Sequence, residues 1–212
     1  MMSKRLFDPL RKLWYLYLIH KDKKRGVDFY LPVEKGEMRE TQEGNVHYAA
    51  TSPLYYRSLK EFLRRQDNGG NRIMDIGCGK GRMLEFFHNF GFSKADGLEY
   101  SSELAEIARK NMKTLGLPCE VFTGDAAEFE EYDTYDWFYL FNPFHQNIML
   151  RFIGNLKESL RRNPRAITIV YTNPICASDF ARAGFHLEYV GEGRHQFCVV
   201  TSEGGAGKRG GV

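Results

Sequence analysis

The chain of 212 residues has no apolar run long enough to span a bilayer, no C-x-x-C pair, no internal repeat and a net charge of only +3. Each absence removes a class of function. A spanning helix needs about 20 predominantly apolar residues, and the early apolar stretch Leu13 to Ile19 falls well short. No small-residue cleavage site follows that stretch, so a secretory leader is not expected. The four cysteines, Cys78, Cys119, Cys176 and Cys198, are scattered. They read as reduced thiols of a cytoplasmic protein, not a disulfide frame or a metal site. The small net charge argues against a surface that coats nucleic acid, while leaving room for a local basic patch. What is present is 42% apolar and 27% charged residues, a soluble globular balance. The length suits one domain with an N-terminal extension.

The pattern is organised around Arg72 to Arg82, R-I-M-D-I-G-C-G-K-G-R. An apolar run closes on the carboxylate of Asp75 and breaks into Gly77, Gly79 and Gly81, with Cys78 among them as a small filler. Met83, Leu84, Phe86, Phe87 and Phe90 follow at helical spacing. The stretch predicts strand, tight loop and helix, the first unit of a doubly wound α/β sheet. Glycine has no Cβ, so such a loop turns sharply and lets a ligand reach backbone N–H groups. The helix that starts there offers its free N–H groups to an anion. A dinucleotide loop runs G-x-G-x-x-G/A, its last small residue allowing close helix packing. Counted from Gly77, that place falls on Arg82, and the third glycine comes one residue early. The spacing makes an NAD-linked oxidoreductase the weaker reading.

Lys94 to Tyr100 reads as a second strand tipped by Glu99, with a helix beginning at Ser101 or Ser102. A carboxylate there can accept both hydroxyls of a ribose, and Tyr100 is placed to stack on a base. An acid before a helix also serves as a cap. Cys119 to Thr123 is a third strand, leading into Gly124-Asp125-Ala126, where Asp suits turn chemistry as well. Tyr135 to Phe141 is apolar on both faces, as a central parallel strand should be. It ends in Asn142-Pro143-Phe144, beside the point where strand order reverses and ligands bind. Phe144 is placed to stack on a flat substrate or line the pocket. A helix through Ile148, Phe152, Leu156 and Leu160, a fifth strand Ala166 to Thr172 and a short helix from Ile175 to Ala183 follow. Phe185 to Val190 and Gln196 to Thr201 form a hairpin, and residues 203–212 read as a flexible tail.

Upstream, Leu6, Leu10, Leu13, Trp14 and Tyr17 share a helical face within residues 6–19, with basic residues on both sides. That helix is expected to pack on the domain or on a second copy; the other reading is a peripheral membrane contact. Gly26 to Thr51 reads as an irregular arm, with Tyr48 and Thr51 as candidate lid residues over the ligand crevice. A helix starts at Ser52-Pro53 and carries Leu54, Tyr55, Leu59, Phe62 and Leu63. The expected division is an N-terminal helix and arm over 1–51, one domain over 52–202 and the tail. His47 and His145 sit in loops where either can take a proton.

From Tyr48 to Thr201 the chain resembles class I methyltransferases dependent on S-adenosylmethionine (SAM). The motifs are Tyr48 to Pro53, Asp75 to Arg82, Gly97 to Glu99, Asn142 to Phe144 and Tyr171 to Pro174, and they are closest to a group of small, uncharacterised bacterial members. The resemblance implies a Rossmann-like, doubly wound sheet of seven strands with the last antiparallel. It implies SAM as cofactor, with Asp75 on its ammonium, Gly77, Cys78, Gly79 and Gly81 around its amino-acid part and Glu99 on the ribose. Asp125 and the N–H of Ala126 would take the adenine. Asn142-Pro143-Phe144 resembles the Asn-Pro-Pro-Tyr/Phe of enzymes that methylate amide or base nitrogens, with one proline replaced. The expected reaction is methyl transfer to nitrogen or oxygen of an unidentified acceptor, a small molecule or protein. Alternatives are a nucleic-acid base methyltransferase and a non-catalytic SAM-binding subunit.

Overall fold

The computed structural model describes residues 9–32, 56–68, 70–141, 143–191 and 196–202. In chain order the elements are α1 (Pro9–Arg25), α2 (Tyr56–Leu63), β1 (Arg72–Ile76), α3 (Arg82–Asn89), β2 (Lys94–Glu99), α4 (Ser102–Leu115) and β3 (Val121–Thr123). There follow β4 (Trp137–Phe141), α5 (Gln146–Arg162), β5 (Thr168–Thr172), α6 (Ala177–Arg182), β6 (His186–Val190) and β7 (Phe197–Thr201). A short 3-10 turn, Glu131–Thr134, precedes β4.

The seven strands form one sheet in the order β3-β2-β1-β4-β5-β7-β6. β1 pairs in parallel with both β2 and β4, so strand order reverses at β1/β4 and opens a crevice beyond the carboxyl ends of those strands. β7 runs antiparallel between β5 and β6, and the sheet is the seven-stranded mixed sheet expected of the class I fold. Successive residues of a strand face opposite sides, which sorts the core into two layers. Met74, Ile76, Leu98, Phe138 and Leu140 bury against α5 and α6 through Phe152, Leu156 and Phe180. Ile73, Ala95, Trp137 and Tyr139 bury against α2 and α3 through Leu59, Leu63, Met83 and Phe87. Asp75, Gly97 and Glu99 share the second face by the same alternation. Each fully buried Leu, Ile or Phe contributes about 1.5–3 kcal/mol.

Two expectations are corrected. The helix expected within 6–19 extends to Arg25. Its basic run remains helical because Lys23, Lys24 and Arg25 favour the negative end of the helix dipole, and the buried Asp22 carboxylate accepts from the N–H groups of Phe29 and Tyr30 at 2.8 and 3.0 Å. The stripe of Leu13, Trp14 and Tyr17 is exposed; the domain is met instead by Leu18, Ile19 and Asp22. The described part of the arm, residues 26–32, has no regular structure but buries Val27, Phe29 and Tyr30 against α4.

β2 carries a constraint that period-two reading does not reveal. A Cβ on Gly97 would lie 2.5 Å from Cys78 Sγ and 2.7 Å from its Cβ, so the loop after β1 presses on the β2 backbone. Gly97→Ala should therefore overpack the sheet by about 1–3 kcal/mol, visible in thermal melts at roughly 2–4 °C per kcal/mol. An unchanged melting temperature would show that the loop moves aside freely.

Candidate active site

The loop after β1 is shaped by left-handed glycines at Gly77, Gly79 and Gly81, with φ of 75, 53 and 80°. The N–H groups of Gly77 and Cys78 both donate to the Leu98 carbonyl, at 2.8 and 3.1 Å, and Gly81 N–H donates to Cys78 O at 2.9 Å. A Cβ on Gly77 would stand 2.8 Å from Pro143 Cβ. The turns after β1 and β4 therefore touch at the strand-order switch. Gly81 serves packing as well, since its Cβ would crowd Ala108 and Met112 of α4.

Two carboxylates lie beside this loop. Glu99 Oε2 accepts from Gly79 N–H at 2.7 Å and Oε1 from Ser101 N–H at 3.0 Å, so the side chain joins the loop to the start of α4. Each oxygen keeps a further acceptor position. Burial raises the Glu99 pKa despite these bonds. Asp75 is buried too, and among the described residues no N–H or O–H donates to it. Burial, then the charge of Glu99, pushes its carboxyl well above the usual range. A buried carboxylate held without a hydrogen bond is costly, and a cation placed against it would relieve that cost.

The Cys78 thiol is pushed well up by burial and by both acids, so it is a poor nucleophile; its sulfur fills the space over Gly97. Tyr100 is half-buried. Asp125, beyond the tip of β3, accepts from Ala127 N–H at 2.8 Å. Ala126 is buried and its carbonyl accepts from the Tyr132 hydroxyl at 2.8 Å. Phe144 is buried with its ring 6.0 Å from that of Phe152, so it stands in the core beneath the crevice and not as an open platform. Pro143 is half-buried and His145 exposed. Tyr48, Thr51, His47 and Asn142 lie outside the described residues. Among the described residues no group of three or more His, Cys, Asp or Glu side chains could hold a metal ion.

Sequence reasoning missed a strap behind the loop. Lys80, 1% exposed, donates from Nζ to Asp28 Oδ2 at 2.8 Å and to Leu31 O at 2.9 Å. Asn111 of α4 accepts from Asp28 N–H and donates to the carbonyls of Asp28 and Lys80 at 2.8 and 3.0 Å. Arg82 lies over the rings of Phe29 and Tyr56, each at 5.5 Å, and pairs with Glu85 at 2.7 Å. Glu85 also pairs with Arg25. The signal available in sequence was a lysine and an arginine set in a glycine turn that needs to be buried, which requires acids from elsewhere.

An open mixed sheet of this strand order, with a glycine turn after its first strand, is a Rossmann-like fold of the class I methyltransferase type. Residues 73–163 match the family model described as a methyltransferase domain. A SAM-dependent methyltransferase from Aquifex aeolicus superposes with a TM-score of 0.56 at 18% identity, over 71% of this chain and 93% of that one. The ribosomal protein L11 methylase from Lactobacillus delbrueckii subsp. bulgaricus gives 0.53 at 16% identity, over 71% and 79%. The mitomycin 7-O-methyltransferase gives 0.53 at 16%, over 70% and 54%. No curated protein matches the chain. The fold is that of class I methyltransferases, the matched segment resembles a methyltransferase domain, and SAM is the cofactor this likeness implies. The residues fit it, because buried carboxylates suit an ammonium and ribose hydroxyls.

Both acids have folded-state pKa values above their ordinary ones, so the ligand-free fold holds protons that the unfolded chain has released. Their contribution to stability is complete below the ordinary values, 3.8 for Asp75 and 4.5 for Glu99, and is lost as pH rises through the raised ones. D75N removes the larger part of that dependence. Its melting temperature should exceed the parent's near pH 8 (roughly two decades or more beyond the unfolded carboxylate range) and fall less steeply with pH. A D75N protein that melts below the parent there would contradict the assignment.

Proposed function

We propose that the chain transfers the methyl group of SAM to a nitrogen or oxygen atom of a small molecule or protein. The observation that carries this reading is the buried Asp75 carboxylate, lacking a donor among the described residues and lying on the same sheet face as Glu99. Asp75 would hold the ammonium of the cofactor. The left-handed turn through Gly77, Cys78, Gly79 and Gly81 would lie against its amino-acid part, and the spare acceptor positions of Glu99 would take the ribose. Tyr100, Asp125 and Ala126 stand at the adjoining strand ends, where the base would lie. Tyr48 and Thr51 are assigned to the covering arm.

The cofactor supplies an electrophilic methyl carbon on a sulfonium. The protein's part is to orient an acceptor and exclude water, which lowers such a barrier without a strong base. Asn142 and Pro143 follow β4 at the strand-order switch, where the acceptor would enter. The Asn142 amide oxygen is assigned to receive a hydrogen bond from the acceptor, with Phe144 backing the turn from the core. Methyl transfer to an unidentified acceptor remains the reading for both acceptor atoms.

Loss of a hydrogen bond to a charged group costs about 1.5–3 kcal/mol. Asp75→Ala and Glu99→Ala should thus each weaken SAM binding roughly 10- to 150-fold by calorimetry. Asn142→Ala should keep cofactor affinity while lowering turnover, assayed with labelled SAM on pools of small molecules, protein and nucleic acid. Unchanged affinity in both acid variants would overturn the site.

A further inference from the structure

α1 divides lengthwise. Tyr15, Leu18, Ile19 and Asp22, spaced three or four apart, face the body: Leu18 and Ile19 are half-buried, Asp22 is buried, and the Tyr15 ring lies 6.2 Å from that of Tyr30. The opposite stripe has two parts. Its first turns carry Leu13, Trp14 and Tyr17, exposed at 63, 49 and 49%, with Trp14 and Tyr17 stacked at 5.4 Å. The next turns carry His20, Lys21 and Lys24, all exposed, and Lys21 Nζ stands 5.8 Å over the Tyr17 ring. Leu16, Lys12 and Lys23 border the stripe and are exposed as well.

An aromatic and aliphatic patch open to water marks an interaction surface, and charge decides its partner. The one acid in α1 is Asp22, which is buried and bonded to the Phe29 and Tyr30 amides. The charged side chains exposed on the described helix are therefore all cationic. Two copies paired in parallel through this stripe would set lysines against lysines, a destabilising arrangement, and in an antiparallel pair no facing acid would offset the lysine charge. An anionic lipid surface matches both parts: Trp and Tyr settle at the headgroup level, leucines enter the acyl boundary, and lysines meet lipid phosphate and carboxylate. No described helix is long and apolar enough to cross a membrane, so α1 would lie on it.

We propose that the outward stripe of α1, Leu13, Trp14 and Tyr17 followed by His20, Lys21 and Lys24, is a docking surface for anionic membrane. Asp22 and the Arg25–Glu85 pair fasten the helix to the body, so docking would fix the orientation of the whole domain. This does not rest on the methyl-transfer reading.

The test is co-sedimentation of the full chain with phosphatidylcholine vesicles, with and without about 30% phosphatidylserine. Each lysine near an anionic surface adds about 1 kcal/mol, so phosphatidylserine should tighten binding at least about tenfold. Trp14 emission should shift to the blue on binding. Lys21→Glu with Lys24→Glu, and separately Trp14→Ala with Tyr17→Ala, should each reduce binding about tenfold or more, with parental melting temperatures confirming the fold. Equal partition with and without phosphatidylserine, or equal binding by the parent and both variants, would overturn the proposal. So would a dimer in sedimentation velocity that Trp14→Ala with Tyr17→Ala dissolves.

Discussion

Asp75 and Glu99 are held out of water on one face of adjoining strands, and their shared position constrains what surrounds them. Glu99 is tethered by two backbone N–H groups, Gly79 from the loop and Ser101 from the next helix. Its geometry is thereby set before any ligand arrives. Asp75 has no such tether among the described residues and feels the neighbouring charge. A fold selected for stability alone would place an amide or an aliphatic group there. The cost is understandable where a cationic ligand is to be held, because the same burial that penalises the free carboxylate strengthens its attraction to an ammonium.

Around that pair the glycine turn is fixed from both sides. Cys78 presses on Gly97 and Gly77 abuts Pro143, so the turns after β1 and β4 and the body of β2 determine each other's positions. From behind, the Lys80–Asp28 pair and the Asn111 bonds hold residues 28–31 under the loop. Arg82, whose length is incompatible with a dinucleotide loop, is used here to cement that strap through Phe29, Tyr56 and Glu85. The portion of chain before the first strand is thus part of the site's foundation. Preorganisation of this kind keeps a binding turn from collapsing onto its own acids.

Much of this was legible in the residues because it is local. The β1–loop–α3 unit shows as an apolar run, three glycines and a helical stripe, and Ser101 as the cap of α4 is confirmed by its bond from Leu104 N–H. Glu99 turned out to serve the helix start as well as facing the loop. The strand order and the antiparallel β7 came from family resemblance, since periodicity does not state which strands adjoin. What stayed hidden is long-range. Lys80 and Asp28 are 52 positions apart and Asn111 and Asp28 83, and nothing in the spacing announces either contact. Phe144 is a core residue because the turn after β4 folds it back on Phe152. Which side of α1 meets the domain was hidden too, since Asp22, a lone acid in a basic run, anchors the helix by the side away from Leu13, Trp14 and Tyr17.

Burial and the charge of Glu99 raise the Asp75 carboxyl well above the usual carboxylate range, and a bound cation would lower it again. Titration calorimetry of SAM in two buffers of different ionisation enthalpy, at several values between about pH 6 and 8, measures this through proton linkage. The expected result is a binding heat that differs between buffers by an amount reporting proton release, and a smaller difference for D75N, in which Glu99 alone remains raised. Identical heats in both buffers for the parent chain would mean that Asp75 is already ionised in the free protein, and the proposed role of its burial would be wrong.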